Sequence, residues 1–205
     1  MPGGMVVGGL SPLNRVHEIL QRMIDNPRHI ESLKTCCGVL AILSRDEANK
    51  LLIARDGIRL ICSVMEQHVE RHDLLEAACD LLWSLAFNNP LLKEVIGQQG
   101  GIPIILRGMK MHPATADFLK SACGALSNMC QNAHNQTLIA SNGGIFCMLQ
   151  VGFMLYIFPS SPHVFCSLSR DHLQFVQIFY RGLYCCRCSR TTGKTRCYYL
   201  LHSMP

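Results

Sequence analysis

Charge is scarce in this chain, and acidic charge is nearly missing from one end of it. Only 16% of the 205 residues are Asp, Glu, Lys or Arg, while 49% are hydrophobic. That balance excludes a disordered chain by composition and leaves enough apolar material for one sizeable domain. Residues 146–205 carry Arg170, Arg181, Arg187, Arg190, Lys194 and Arg196 against a single acid, Asp171. Residues 1–145 carry 13 basic and 13 acidic residues, so the formal charge of +5 belongs to the last 60 residues. The longer part has no basic stripe, which speaks against a nucleic-acid footprint there.

Long apolar runs are lacking as well. The longest stretch, Ile145–Phe158, is 14 residues, interrupted by Gln150 and Gly152 and ended by Pro159. A spanning helix needs about 20 residues, so no transmembrane segment is expected, and peripheral membrane association stays a minor alternative. Met1–Gly9 has no basic start and too short an apolar stretch for a secretory signal, and Pro2 excludes the myristoylation pattern. Reduced thiols in an intracellular compartment, cytoplasmic or nuclear, are therefore expected. Signatures of catalysis are missing too. No Gly-x-Ser-x-Gly or His-Glu-x-x-His occurs, and Gly193-Lys194-Thr195 lacks the glycine a phosphate loop needs five residues earlier, where Cys188 stands. The chain reads as a non-enzyme without a cofactor.

What the chain has is a threefold internal repeat. Cys37, Cys79 and Cys123 each sit in a run of small and apolar residues, spaced by 42 and 44 positions. Each run is followed at nearly constant offset by a glycine and an isoleucine: Gly57-Ile58, Gly101-Ile102 and Gly144-Ile145. A period of this length means stacked helical units, none able to bury its own apolar face. Ser11-Pro12 and Asn26-Pro27 read as helix starts. Each unit is expected to contain one short helix and two longer ones, the short ones covering about Asp46–Arg55 (ending at Gly57), Pro90–Gln99 and His134–Ser141. The cysteines of the repeats fall at apolar helical positions and read as small hydrophobes. At Ile145 the pattern fails. Residues 1–11 are expected to be a flexible start, 12–145 the repeat domain, and 146–205 an irregular, poorly ordered tail with an apolar segment packed on the last repeat.

Three features of the repeats resemble the armadillo family. Ala122-Cys123-Gly124-Ala125-Leu126-Ser127-Asn128-Met129-Cys130 is similar to that family's third helix, and Ala78–Ala86 and Cys36–Ser44 follow it more loosely. Asn89-Pro90-Leu91-Leu92-Lys93-Glu94-Val95-Ile96 resembles its first helix, and Gly100-Gly101-Ile102-Pro103 the entry to its second. The resemblance covers about residues 12–145. It implies an all-α fold, an armadillo-like right-handed superhelical solenoid of about three repeats, whose third helices line a concave groove. In well-known members a groove asparagine on each unit binds the main chain of a peptide, framed by a tryptophan four residues earlier. The matching asparagine positions here are Ile42, Ser84 and Asn128, and the tryptophan positions Gly38, Asp80 and Gly124, so only Asn128 agrees. Trp83 is displaced by three residues and is expected to point elsewhere.

Residues four apart share a helix face. The groove lines are therefore expected to be Lys34, Gly38, Ile42 and Asp46; Glu76, Asp80, Ser84 and Asn88; and Lys120, Gly124, Asn128 and Asn132. The function this implies is a scaffold or adaptor that binds another protein or a peptide segment along that groove. Two alternatives come from other classes. One is a regulatory segment of a larger signalling protein, for example a kinase-like chain, present here as a fragment or splice form. The other is a metal- or nucleic-acid-binding tail. Cys185 and Cys188 have the spacing of a zinc half-site that Cys197 and His202 would complete, but the second pair lacks a usual spacing and no metal is expected. Arg187, Arg190, Lys194 and Arg196 beside Tyr198 and Tyr199 read as a solvated basic run rather than a phosphate contact.

Overall fold

The computed structural model describes the backbone of residues 12–157 and the side chains of residues 14–150. The described residues are all helical and contain no strand: α1 Pro12–Asp25, α2 Ile30–Leu43, α3 Glu47–Gln67, α4 His72–Ala86, α5 Pro90–Gln98, α6 Gly101–Met111, α7 Ala116–Met129, α8 Ala133–Ser141 and α9 Gly144–Ile157. The repeat in the sequence returns as a repeat in local geometry. Asp46, Asn89 and Asn132 open α3, α5 and α8, and each side chain accepts a hydrogen bond from the backbone N–H three residues on, at 3.0, 3.1 and 3.1 Å. These caps satisfy donors that the first helical turn leaves unpaired.

The expected break at Gly57 does not occur. α3 runs unbroken from Glu47 to Gln67, where the other two units change helix at a glycine pair. In those pairs the first glycine takes the left-handed backbone, Gly100 at φ 82° and Gly143 at φ 78°. The first unit has Asp56 at that position. A residue with a Cβ disfavours left-handed φ, so the helix continues instead. Continuation buries Gly57, where an added Cβ would lie 3.1 Å from Leu20 Cδ2 of α1.

α9 crosses the boundary expected at 145. Ile145 lies in the first turn of α9, which continues to Ile157. Cys147 and Met148 are buried, and Cys123 Sγ lies 3.6 Å from Met148 Sδ, while Phe146 and Leu149 are exposed. The sequence hid this helix because it is apolar on every side and so shows no stripe. Residues 1–11 and 158–205, with the zinc candidates Cys185, Cys188, Cys197 and His202 and the basic run around them, lie outside the described residues.

The core runs along α2, α4 and α7, with α4 packed between the other two. Leu33, Cys37 and Leu40, then Leu75, Cys79 and Leu82, then Leu119, Cys123 and Leu126 are all buried. The thiols behave as the small hydrophobes the pattern suggested. Burial holds the Cys37, Cys62 and Cys130 thiols up at about 12, and that of Cys79 well above the ordinary value.

Candidate functional site: a strip across three stacked helices

Units are joined by hydrogen bonds that recur at matching positions. Ser84 Oγ of α4 lies 3.3 Å from the Ala41 carbonyl oxygen of α2 and 2.6 Å from Ser44 Oγ. One unit on, Asn128 Nδ2 of α7 donates to the Trp83 carbonyl oxygen of α4 at 3.2 Å. His68 and His112, which close α3 and α6, place Nε2 2.7 and 2.9 Å from the carbonyl oxygens of Pro27 and Val69. Lys50 and Lys93, both buried, reach forward to the Phe87 carbonyl oxygen at 3.3 Å and to Gln131 Oε1 at 2.7 Å. These pairings span 37 to 45 residues, one repeat each, so closely matching chemistry holds each unit to the next.

That stitching changes the meaning of several groove positions. Ser84 and Asn128 hold neighbouring units together, and Asn128 commits a donor to Trp83. Asn132 is the cap of α8, its side-chain oxygen taken by the Asn135 N–H. Asn88 lies beyond the end of α4, in a turn, with φ 52°. The four-residue ladder fails there because the helices stop at Leu43, Ala86 and Met129, before Asp46, Asn88 and Asn132 are reached.

The remaining candidates lie along the helices. Ile42 is 62% exposed. Lys34 bridges α2 and α4, 3.2 Å from Asp73 and 3.4 Å from Glu31, and the hydrogen bond to Asp73 does most to raise its pKa. Burial pushes the Asp73 carboxyl up, but hydrogen bonds from Arg71 and Lys34 outweigh it and bring it down to about 2. Glu76 is half-buried, and burial, then the Asp117 and Asp80 carboxylates, push its carboxyl up. Asp80 and Lys120 are exposed. α4 carries Asp73, Glu76 and Asp80 and no lysine or arginine, so the middle of the strip is negative.

Trp83 does not point away from this strip. Its indole lies on the backbone of α7, where a Cβ on Gly124 would come 3.2 Å from the ring. Trp83, Phe87 and Asn88 of one unit and Gly124, Ser127, Asn128 and Gln131 of the next line a notch of about 230 Å³. The family's tryptophan position gives the wrong phase, because residues three apart also share a face and Trp83 stands three beyond Asp80. Phe87 escapes the spacing argument altogether, although a signal for it is legible. Asp46 stands nine positions after Cys37 and Asn132 nine after Cys123, but Asn89 stands ten after Cys79.

Among the described residues, no group of three or more His, Cys, Asp or Glu could hold a metal ion, and no helix is long and apolar enough to cross a membrane. No family model and no solved structure matches the chain. Among curated proteins it is similar to Protein aardvark of Dictyostelium discoideum, with 33% identity over 145 residues, covering 68% of this chain and 19% of that protein. The chain thus spans about a fifth of the length of that relative.

Proposed function

We propose that the helices form an armadillo-like, right-handed solenoid and that the chain works as a protein-binding scaffold. In this reading α2, α4 and α7 are the third helices of successive units and line a concave groove. The observation that carries it is the recurrence of the Ser84 and Asn128 bonds, one unit apart, to the carbonyl oxygens of Ala41 and Trp83. Units that repeat the same kind of bond to the preceding neighbour stack at a constant offset, which yields an extended surface. Trp83, Phe87 and Ile42 offer apolar anchors on that surface, and Asp80 and Lys120 offer charge. Aromatic anchors surrounded by polar groups are the usual centre of a binding face. The mechanism is complementarity along the groove, without bond making or breaking, and the partner is an extended segment of another protein.

The test is an array of random-sequence 12-residue peptides probed with the full chain and with Trp83→Ala, Asp80→Lys and Arg55→Glu variants. The reading expects the first two substitutions to abolish or reorder the bound set and Arg55→Glu, on α3, to leave it unchanged. Equal loss from all three, or no loss from Trp83→Ala, would overturn it.

A further inference from the structure

One position recurs along α3, α5 and α8, and its charge is handled differently each time. Lys50 of α3 is matched by Lys93 of α5, 43 positions on, and that by the neutral Gln136 of α8, a further 43 on. Lys50 and Lys93 are only 6% and 7% exposed. In the first unit an acid stands one turn earlier. Glu47 Oε2 lies 3.1 Å from Lys50 Nζ, and Glu47 Oε1 accepts from Asn89 Nδ2 at 3.2 Å. In the second unit the residue 43 positions after Glu47 is Pro90, the first residue of α5. Among the described residues no carboxylate forms an ion pair with Lys93. Its ammonium meets Gln131 Oε1 at 2.7 Å, an amide that answers a hydrogen bond but not a charge. The charge is thus balanced in the first unit, absent in the third and left unbalanced in the second.

A buried ammonium without a counter-charge is costly, so an anion that reaches it is favoured. The notch beside it suits that anion. Gln131 lines the notch together with Trp83, Phe87, Asn88, Ser127 and Asn128, and no carboxylate is among the lining residues. Because Lys93 holds the oxygen end of the Gln131 amide, the Nε2 end remains as a donor. Asn88 and Ser127 bring further donors to the same place. Asp80 stands three residues before Trp83 on α4 and repels an anion, which confines acceptance to the Gln131 end.

We propose that the notch takes an aspartate or glutamate side chain of the peptide partner, whose carboxylate lies beside Gln131 and gives Lys93 the counter-charge that Glu47 gives Lys50. The inference rests on the binding-groove reading and adds the chemistry of one anchor: an acid held at Gln131, next to an apolar residue held on Trp83 and Phe87. A fixed, buried charge of this kind chooses acid over amide more than it raises affinity as a whole.

Trp83 is the sole tryptophan of the chain, so its fluorescence reports on the notch. The peptides of the array, acetylated and amidated so that only side chains carry charge, are the probes. The tightest binders are remade with Asn for Asp and Gln for Glu, and both forms are titrated into the full chain. The acidic forms are expected to bind about tenfold tighter or better. Pro90→Glu supplies the missing acid within the chain and should abolish that preference, while Pro90→Gln should keep it. Lys93→Met, with its fold checked by circular dichroism, should also abolish it, and Lys50→Met should not. Pro90 is exposed at the start of its helix, so Pro90→Glu decides the matter even if Lys93→Met fails to fold. Equal binding of acidic and neutral forms by the wild type overturns the proposal, as does a preference that survives Pro90→Glu. If peptides bind without an acidic preference, this inference falls and the groove reading stands. If no peptide binds, or Trp83→Ala changes nothing, the groove reading falls and this inference with it.

Discussion

Gly97 in α5 has no side chain because Asn135 of α8 fills the space that one would need. A Cβ at Gly97 would collide with Asn135 Oδ1 and lie 2.9 Å from its Cγ. Asn135 cannot retreat cheaply. It is fully buried, and its Nδ2 donates to the carbonyl oxygens of Lys93 at 2.7 Å and Met129 at 3.2 Å. Both protons of the amide are therefore engaged, and Oδ1, pressed against Gly97, is a buried acceptor without a partner. Moving the side chain would break both hydrogen bonds and leave the buried Nδ2 donors unpaired, at roughly 1–3 kcal/mol each, while alanine contributes about 1 kcal/mol of helix propensity. Gly97→Ala is thus expected to destabilise by about 1–5 kcal/mol.

The sharper test is its sign in a second background. Asn135→Ala is costly alone, because it removes the buried hydrogen bonds to the Lys93 and Met129 carbonyls. Once the asparagine is gone, however, nothing opposes the added methyl, and Gly97→Ala should stabilise by about 0.5–1 kcal/mol. The assay is urea denaturation of the four proteins of the cycle, followed by circular dichroism. If Gly97→Ala costs the same with and without Asn135, the wedge between α5 and α8 is not what fixes this glycine, and the reasoning fails.

Gly38 supplies the contrast: nothing lies within 4 Å of a Cβ placed there, so Gly38→Ala within α2 is expected to raise the urea midpoint, a gain of about 0.5–1 kcal/mol. Asp73 gives a pH dependence. Its folded pKa is depressed, so its contribution is present above the unfolded value near 4 and lost as pH falls toward about 2. Asp73→Asn should therefore lower stability at pH 7 by about 0.5–1 kcal/mol, discounted for its partial exposure, with the difference vanishing near pH 2 in denaturation curves. Asn88, left-handed in the turn that shapes the notch, should tolerate glycine and lose about 1 kcal/mol to alanine; an alanine variant with an unchanged urea midpoint would remove the backbone argument.

Most of the helical plan is legible in the sequence, and the exceptions have physical causes. Periodicity places α2, α4 and α7 because an apolar stripe facing one core repeats every three to four residues. It fails at α9, where apolar residues surround the helix. Glycine read alone misleads at Gly57, because what ends a helix here is the residue before it: Gly100 and Gly143 reach left-handed φ, and Asp56 does not. For the site, Asp80 and Glu76 lie within α4 and Lys120 within α7. Asn132 and Asn88 do not, because a spacing rule cannot see where a helix stops. A phase borrowed from a resemblance sets Trp83 aside, while the one-residue excess between Cys79 and Asn89 is present in the sequence and marks the place.

That excess suggests how a repeat array acquires a site. Where units agree, matching positions engage their polar groups with one another: Asp46, Asn89 and Asn132 as caps, His68 and His112 on the previous unit's carbonyls, Lys50 and Lys93 on the next unit. Polar groups engaged in this way fix the stack and have less to offer a ligand. Among the described residues, the aromatic pair Trp83 and Phe87 lies where that match is broken. The added residue at the end of α4 breaks it beside Gly124, the position on α7 that leaves Trp83 room against the helix backbone. The same step that costs a left-handed Asn88 exposes Phe87 and opens the notch. In a structure built by repetition, the position at which the register slips is therefore the place to look for selectivity.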